Sequence, residues 1–184
     1  MAAVWIILGL IVIAVIAFIV IRNSMIASRN RVDEAWSGID VQLKRRHDLI
    51  PNLVETVKGY ATHERKTFET VTVARADAMK AGSVEATQEA EAKLSGALTD
   101  LRAVAEQYPD LRATENFQKL QNDLNEIEDE IQSARRIYNS NVNLYNTKIQ
   151  IFPNSVIAGM GGFTAREFFE IGDPGEREPV QVQF

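Results

Sequence analysis

The chain has no cysteine, and that absence closes several routes at once. It excludes a disulfide framework, a thiolate nucleophile or metal ligand, and the lipid-bearing cysteine of a lipoprotein anchor. It leaves the compartment open, because a cysteine-free chain suits a reducing cytoplasm and an exported protein equally. Histidine is scarce too, with only His47 and His63. Di-metal sites in helical bundles use Glu-x-x-His pairs, but Lys44 and Tyr60 stand three residues before the two histidines. His63-Glu64 opens like a zinc-protease helix, yet Thr67 occupies the place of the second histidine. There is no G-x-S-x-G elbow, and Gly159, Gly161 and Gly162 lack the preceding strand and the lysine of a phosphate loop. No metal, no cofactor and no enzymatic activity are therefore expected. Basic blocks are missing as well: the net charge of −5 is spread along the chain. Nucleic-acid binding needs a clustered cationic face to displace counterions, so that class is set aside.

Charge is absent altogether from residues 2–21, and Arg22 is the first charged side chain. Twenty residues at about 1.5 Å each cover the roughly 30 Å hydrocarbon core of a bilayer. A helix there satisfies its own backbone, as lipid demands. The expected anchor comprises Val4, Trp5, Ile6, Ile7, Leu8, Leu10, Ile11, Val12, Ile13, Val15, Ile16, Phe18, Ile19, Val20 and Ile21, with the Trp5 indole near one interface. A cleaved signal would need a basic stretch before a shorter apolar core and a small-residue cleavage site, and none of these is present. Arg22, Arg29 and Arg31 follow the span and no basic side chain precedes it. The positive-inside tendency then puts the N-terminus outside and the remaining domain in the cytoplasm.

Beyond the span, helical periodicity dominates. Val32, Trp36, Ile39, Leu43, Ile50, Leu53, Val57 and Tyr60 recur in steps of three and four, interrupted at Arg46. No Pro or Gly separates Leu10 from Ser37, so the membrane helix is expected to run straight into this stripe. Pro51 removes a donor and crowds the carbonyl of His47, which predicts a kink or break there before the helix resumes towards Lys80. Ser83 is placed to cap a second helix carrying Leu94, Leu98, Leu101, Ala105 and Tyr108, ended by Pro109. A third runs from Thr114 through Phe117, Leu120, Leu124, Ile127, Ile131, Ala134, Tyr138, Asn141 and Tyr145 to Pro153. The expected fold is all-α: a transmembrane anchor over 1–22, then an antiparallel three- to four-helix bundle over 23–153 with coiled-coil-like packing. Residues 154–184 are expected to form a glycine-rich hinge at 158–162, a helical turn or two at 163–169 and an extended tail.

Several blocks together resemble the LemA family of bacterial membrane-anchored proteins. They are Asp40-Val41-Gln42-Leu43-Lys44-Arg45-Arg46-His47-Asp48-Leu49-Ile50-Pro51-Asn52-Leu53-Val54, then Tyr60-Ala61-Thr62-His63-Glu64. Glu115-Asn116-Phe117 with Leu120-Gln121, Ala134-Arg135-Arg136-Ile137-Tyr138-Asn139, Tyr145-Asn146 and Phe152-Pro153 complete the match. The resemblance implies a helical bundle beside a single span and carries over no catalytic residue. Some members are linked with organelle-like membrane compartments, which implies scaffolding.

Three features stand out against the stripes. Arg46 falls seven residues after Ile39, where an apolar side chain belongs, and a buried guanidinium requires partners. Asn141 on the third helix, or Glu128 or Glu130, is the expected partner in a register-setting pair; the sharper reading is a partner-binding pocket built on Arg46. Tyr138-Asn139 and Tyr145-Asn146, one heptad apart, predict a polar seam within the bundle, with a docking surface as the rival. Val182 and Phe184 close a tail of alternating polarity that a strand-adding domain would accept. The function so read is a membrane-anchored scaffold that contacts the bilayer and protein partners, including a second copy of itself. The alternative is an adaptor or substrate of a membrane protease or signalling system acting through the tail.

Overall fold

The computed structural model describes residues 1–170; Val182, Phe184 and the expected tail lie outside the described residues. The described residues are all-α, with six helices. The first, α1 (Ala2–Lys58), takes in the whole apolar run and continues without interruption. Val4 to Val20 expose their side chains, Val4, Trp5, Ile6 and Ile13 by more than 60 % each. It is the one described helix long and apolar enough to cross a membrane.

The helix does not break at Pro51. It continues about two turns to Lys58 and ends in a turn where Gly59, Tyr60 and Ala61 donate back to Glu55 and Val57 carbonyls. The missing proline donor is compensated from outside the helix: Arg75 Nε donates to the freed His47 carbonyl at 2.6 Å. Tyr60, expected on the core stripe, is 45 % exposed, because the helix has already ended and Ala61 takes the buried place.

Next come α2 (Arg65–Ala78), α3 (Val84–Glu106), the single turn α4 (Pro109–Arg112), α5 (Glu115–Gln150) and α6 (Asn154–Gly161). Ser83 caps α3, its hydroxyl accepting from the Ala86 amide at 3.1 Å. Pro109 ends the α3 region by opening α4, where its missing donor costs nothing. The Thr114 hydroxyl receives the Phe117 amide at the start of α5.

The chain divides into two units, and α1 and α5 supply residues to both. One comprises Ile39–Arg135 with Phe169 and Glu170. Its core gathers Ile50, Leu53, Val57, Leu94, Leu101 and Phe117 from the stripes read from periodicity, and adds Val71 of α2 and Leu111 of α4. Burying these faces supplies the free energy that offsets chain ordering. The other comprises Met1–Gly38 and Arg136–Phe168, with Met25, Val32, Tyr138, Val142 and Tyr145 almost wholly buried.

The expected hinge and helical turn exchange places. Residues 154–161 form α6, where Ala158 and Ile157 are buried, and Gly162 closes it in the left-handed region at φ 66°. Phe163 donates to the Ala158 carbonyl across that turn. A residue without a Cβ is the natural stop at such a cap. Residues 163–170 are then irregular and extended, a strap with no helical bonds of its own.

Candidate functional site: a buried charge network and a strap held by side chains

In the unit around Ile39–Arg135, α1 carries Arg46 and His47 as neighbours, 5 % and 6 % exposed. Both converge on Glu91 of α3, which is wholly buried. Arg46 Nη1 reaches Glu91 Oε2 at 3.3 Å, and His47 Nε2 lies 2.6 Å from Glu91 Oε1. Arg46 Nη2 donates to Ser95 Oγ at 2.9 Å and pairs with Glu128 of α5 at 3.5 Å. One guanidinium thus ties α1, α3 and α5 together. Arg75, reaching the His47 carbonyl, adds α2 to the same knot.

Burial decides which of these contacts matters. The Glu128 side chain is 41 % exposed, so water screens its pairing with Arg46. Glu91 has no access to water, and its two oxygens are each taken by a different partner on α1. A carboxylate in that position is tolerated only because it is paired and hydrogen-bonded. A cavity of about 200 Å³ opens beside the knot, walled in part by Arg46, Ser95, Arg102, Asn125 and Glu128. Arg102 donates to Asn125 across its wall at 3.3 Å.

Glu128 is one of the three partners expected for Arg46; Glu91 and Ser95 are the partners that were missed. Glu91 was nevertheless legible. It lies seven residues before Leu98 and fourteen before Ala105, so it occupies the α3 stripe as Arg46 occupies that of α1. Two charges of opposite sign, each intruding on an apolar stripe, are candidates for each other. Asn141 is not a partner of this kind: its amide donates to Ile137 O of its own helix at 3.0 Å.

In the unit built from Met1–Gly38 and Arg136–Phe168, the Tyr-Asn repeat of α5 holds the strap. Tyr138 Oη donates to Glu167 O at 2.9 Å, and Tyr145 Oη donates to Thr164 O at 3.0 Å. Asn146 makes a reciprocal pair with Arg166, donating to its carbonyl and accepting its amide, both at 2.8 Å. One side-chain amide thereby does what a neighbouring β-strand would do for an extended backbone. Asn139 is half-buried and likewise engaged. The Arg166 side chain pairs with Asp33 of α1. Trp36 packs its ring against Tyr138 at 5.4 Å, tilted by 60°. Arg29 lies over the Phe163 ring at 5.7 Å from its centroid, within cation–π range. Burial pushes the Tyr138 and Tyr145 phenols above their ordinary range, and Arg166 only partly offsets it. The seam is therefore filled by the chain's own strap.

The model of the LemA family matches residues 35–184. The magnetosome protein MamQ 2 of Paramagnetospirillum magneticum is 26 % identical over 199 aligned positions, covering 94 % of this chain and 73 % of that protein. The protein LemA of Metamycoplasma hominis is 26 % identical over 141 positions, 74 % of this chain and 63 % of its own length. MamQ of Magnetospirillum gryphiswaldense is 24 % identical, with 96 % and 76 % covered.

Proposed function

The chain belongs to the LemA family, and from that premise we propose that it is a membrane-anchored, non-enzymatic scaffold that presents its helices to protein partners, a second copy among them. The observation that carries this reading is the continuity of α1. One helix bears both the exposed apolar residues 4–20 and the buried Ile39, Ile50 and Val57 of a folded core. A continuous helix of that kind tethers a folded domain to a bilayer. Tethering in a plane also raises the effective concentration of like molecules, which favours self-association.

The buried network supports a structural role for the charges. Arg46, His47, Glu91 and Ser95 are mutually engaged, as in a register-fixing knot. Relatives named as magnetosome proteins favour a role tied to a cellular structure over a role in a reaction. Arg22, Arg29 and Arg31 after the span support a reading with the domain on the cytoplasmic side of the inner membrane.

Amine crosslinking of the full chain in native membranes tests the scaffold. Discrete crosslinked species are expected, and they should survive deletion of residues 172–184. Monomer alone would refute self-association, and loss of all adducts on deletion would transfer the function to a tail-borne adaptor. A reporter fused after Phe184 reads the side of the membrane.

A further inference from the structure

Between Lys148 and Arg166 the chain carries no charged side chain, the longest such interval outside the first helix. It contains the corner between α5 and α6. Here Phe152 is 83 % exposed and Met160 75 %, with Ile151 and Val156 each more than half exposed. The opposite face of α6 is equally apolar but buried, through Ile157 and Ala158. Val156 and Met160 are four residues apart and so share the outward face. Among the described residues of the same unit outside the first helix, the other exposed large apolar side chains are Ile137, Leu144 and Phe168, and Phe152 and Met160 are more exposed than any of them.

Its position is fixed by contacts within the unit. Trp36 packs on Tyr138, and further along both helices Lys148 Nζ bonds the Ser28 and Ser24 hydroxyls at 2.6 and 3.1 Å. Thus α5 runs antiparallel to α1 and approaches the apolar segment as its own numbering rises. The same register, carried a few residues further, brings Ile151 and Phe152 level with residues 21–23. That is where the apolar run ends and Arg22 begins.

We propose that the α5–α6 corner is a second membrane contact, with Ile151, Phe152, Val156 and Met160 seated in the interfacial layer of the same bilayer that α1 crosses. The occupant is lipid because the corner is continuous in level with the span. Exposed apolar side chains on a short helix that starts at that level match the way interfacial helices bury one face at the acyl boundary. Lys148 and Arg22 at the rim complement anionic headgroups. The inference rests on the membrane reading of α1.

A natural absence of cysteine makes the test direct. Single-cysteine variants of the full chain, Ile13→Cys, Phe152→Cys, Met160→Cys and Ser140→Cys, are labelled with an environment-sensitive fluorophore. They are reconstituted in vesicles of phosphatidylcholine and phosphatidylglycerol carrying quencher-bearing acyl chains. Ser140 is exposed on α5, about 18 Å back along the helix from position 152. Labels at 152 and 160 should be quenched by lipid several-fold more than the label at 140, and protected from iodide. If position 13 is quenched while 152 and 160 behave like 140, the corner proposal falls and the span stands. If position 13 is also unquenched, the membrane reading itself falls. Protection of 152 and 160 from both lipid and iodide quenchers would mean that protein covers the corner, and this too overturns the proposal.

Discussion

Glu91 shows how one buried carboxylate can fix the packing of α3 on α1. Removing one partner of a buried ion pair leaves an uncompensated charge, at a cost of about 3–5 kcal/mol. Arg46→Leu is therefore expected to destabilise the unit by about that amount, since Glu91 would keep only His47. Arg46→Leu combined with Glu91→Leu should recover most of the loss, because replacing a buried pair by apolar residues is often neutral or better. Urea unfolding of the full chain in detergent, followed by circular dichroism, measures both. A more stable Arg46→Leu single variant would refute the structural role and return the guanidinium to a binding role. The folded-state phenols of Tyr138 and Tyr145 ionise above the ordinary tyrosine value of 10.0, chiefly through burial. The folded chain then holds its protons where the unfolded chain releases them. Their contribution is complete below about pH 10 and is lost as pH rises through the folded values. Ultraviolet titration should show two late-ionising phenols, and Tyr138→Phe with Tyr145→Phe should abolish that late phase. Ordinary titration of all four tyrosines would contradict it.

At the scale of elements, Pro51 and Arg75 form one device. A kink or break is the expectation at the proline, and what it does is release the His47 carbonyl to a guanidinium arriving from α2. Local rules identify the lost hydrogen bond correctly. They cannot anticipate a donor from another helix, and that donor is what lets α1 reach Lys58. Hydrogen bonds to charged groups contribute about 1.5–3 kcal/mol, so Arg75→Met should destabilise by roughly that much. Pro51→Ala supplies a helical amide to the same carbonyl. In that background Arg75→Met should cost less, and the double-mutant cycle should show coupling of at least about 0.5 kcal/mol. Strict additivity would show that Arg75 acts elsewhere. The strap was illegible for a related reason. Tyr138, Tyr145 and Asn146 gave a seam by their spacing, but side chains that bind a distant backbone leave no periodic trace in that distant segment. Glycines at 159, 161 and 162 read as a hinge, whereas two of them lie within α6 and only Gly162 takes a conformation that favours glycine.

For the molecule as a whole, what periodicity revealed is what burial drives. The apolar stripes of α1, α3 and α5 became cores, and the first apolar run, which no other described residues cover, remained exposed. That exposure makes the strongest prediction. Fourteen of residues 2–21 are Ile, Leu, Val or Phe. At about 0.3–0.6 kcal/mol each near a helix centre, they favour insertion by roughly 4–8 kcal/mol. One arginine at the centre opposes insertion by about 2.5–3.5 kcal/mol and also removes an apolar contribution. Two of them, Leu10→Arg with Ile13→Arg, bring the balance close to zero or beyond. The wild-type chain should stay with membranes after alkaline carbonate washing, and the double variant should leave them. The single variants should partition between the two fractions. The cores of both units lie downstream of the substituted residues, so the released protein should keep its helical circular dichroism. If the double variant remained in washed membranes, the first helix would not be what holds the protein there.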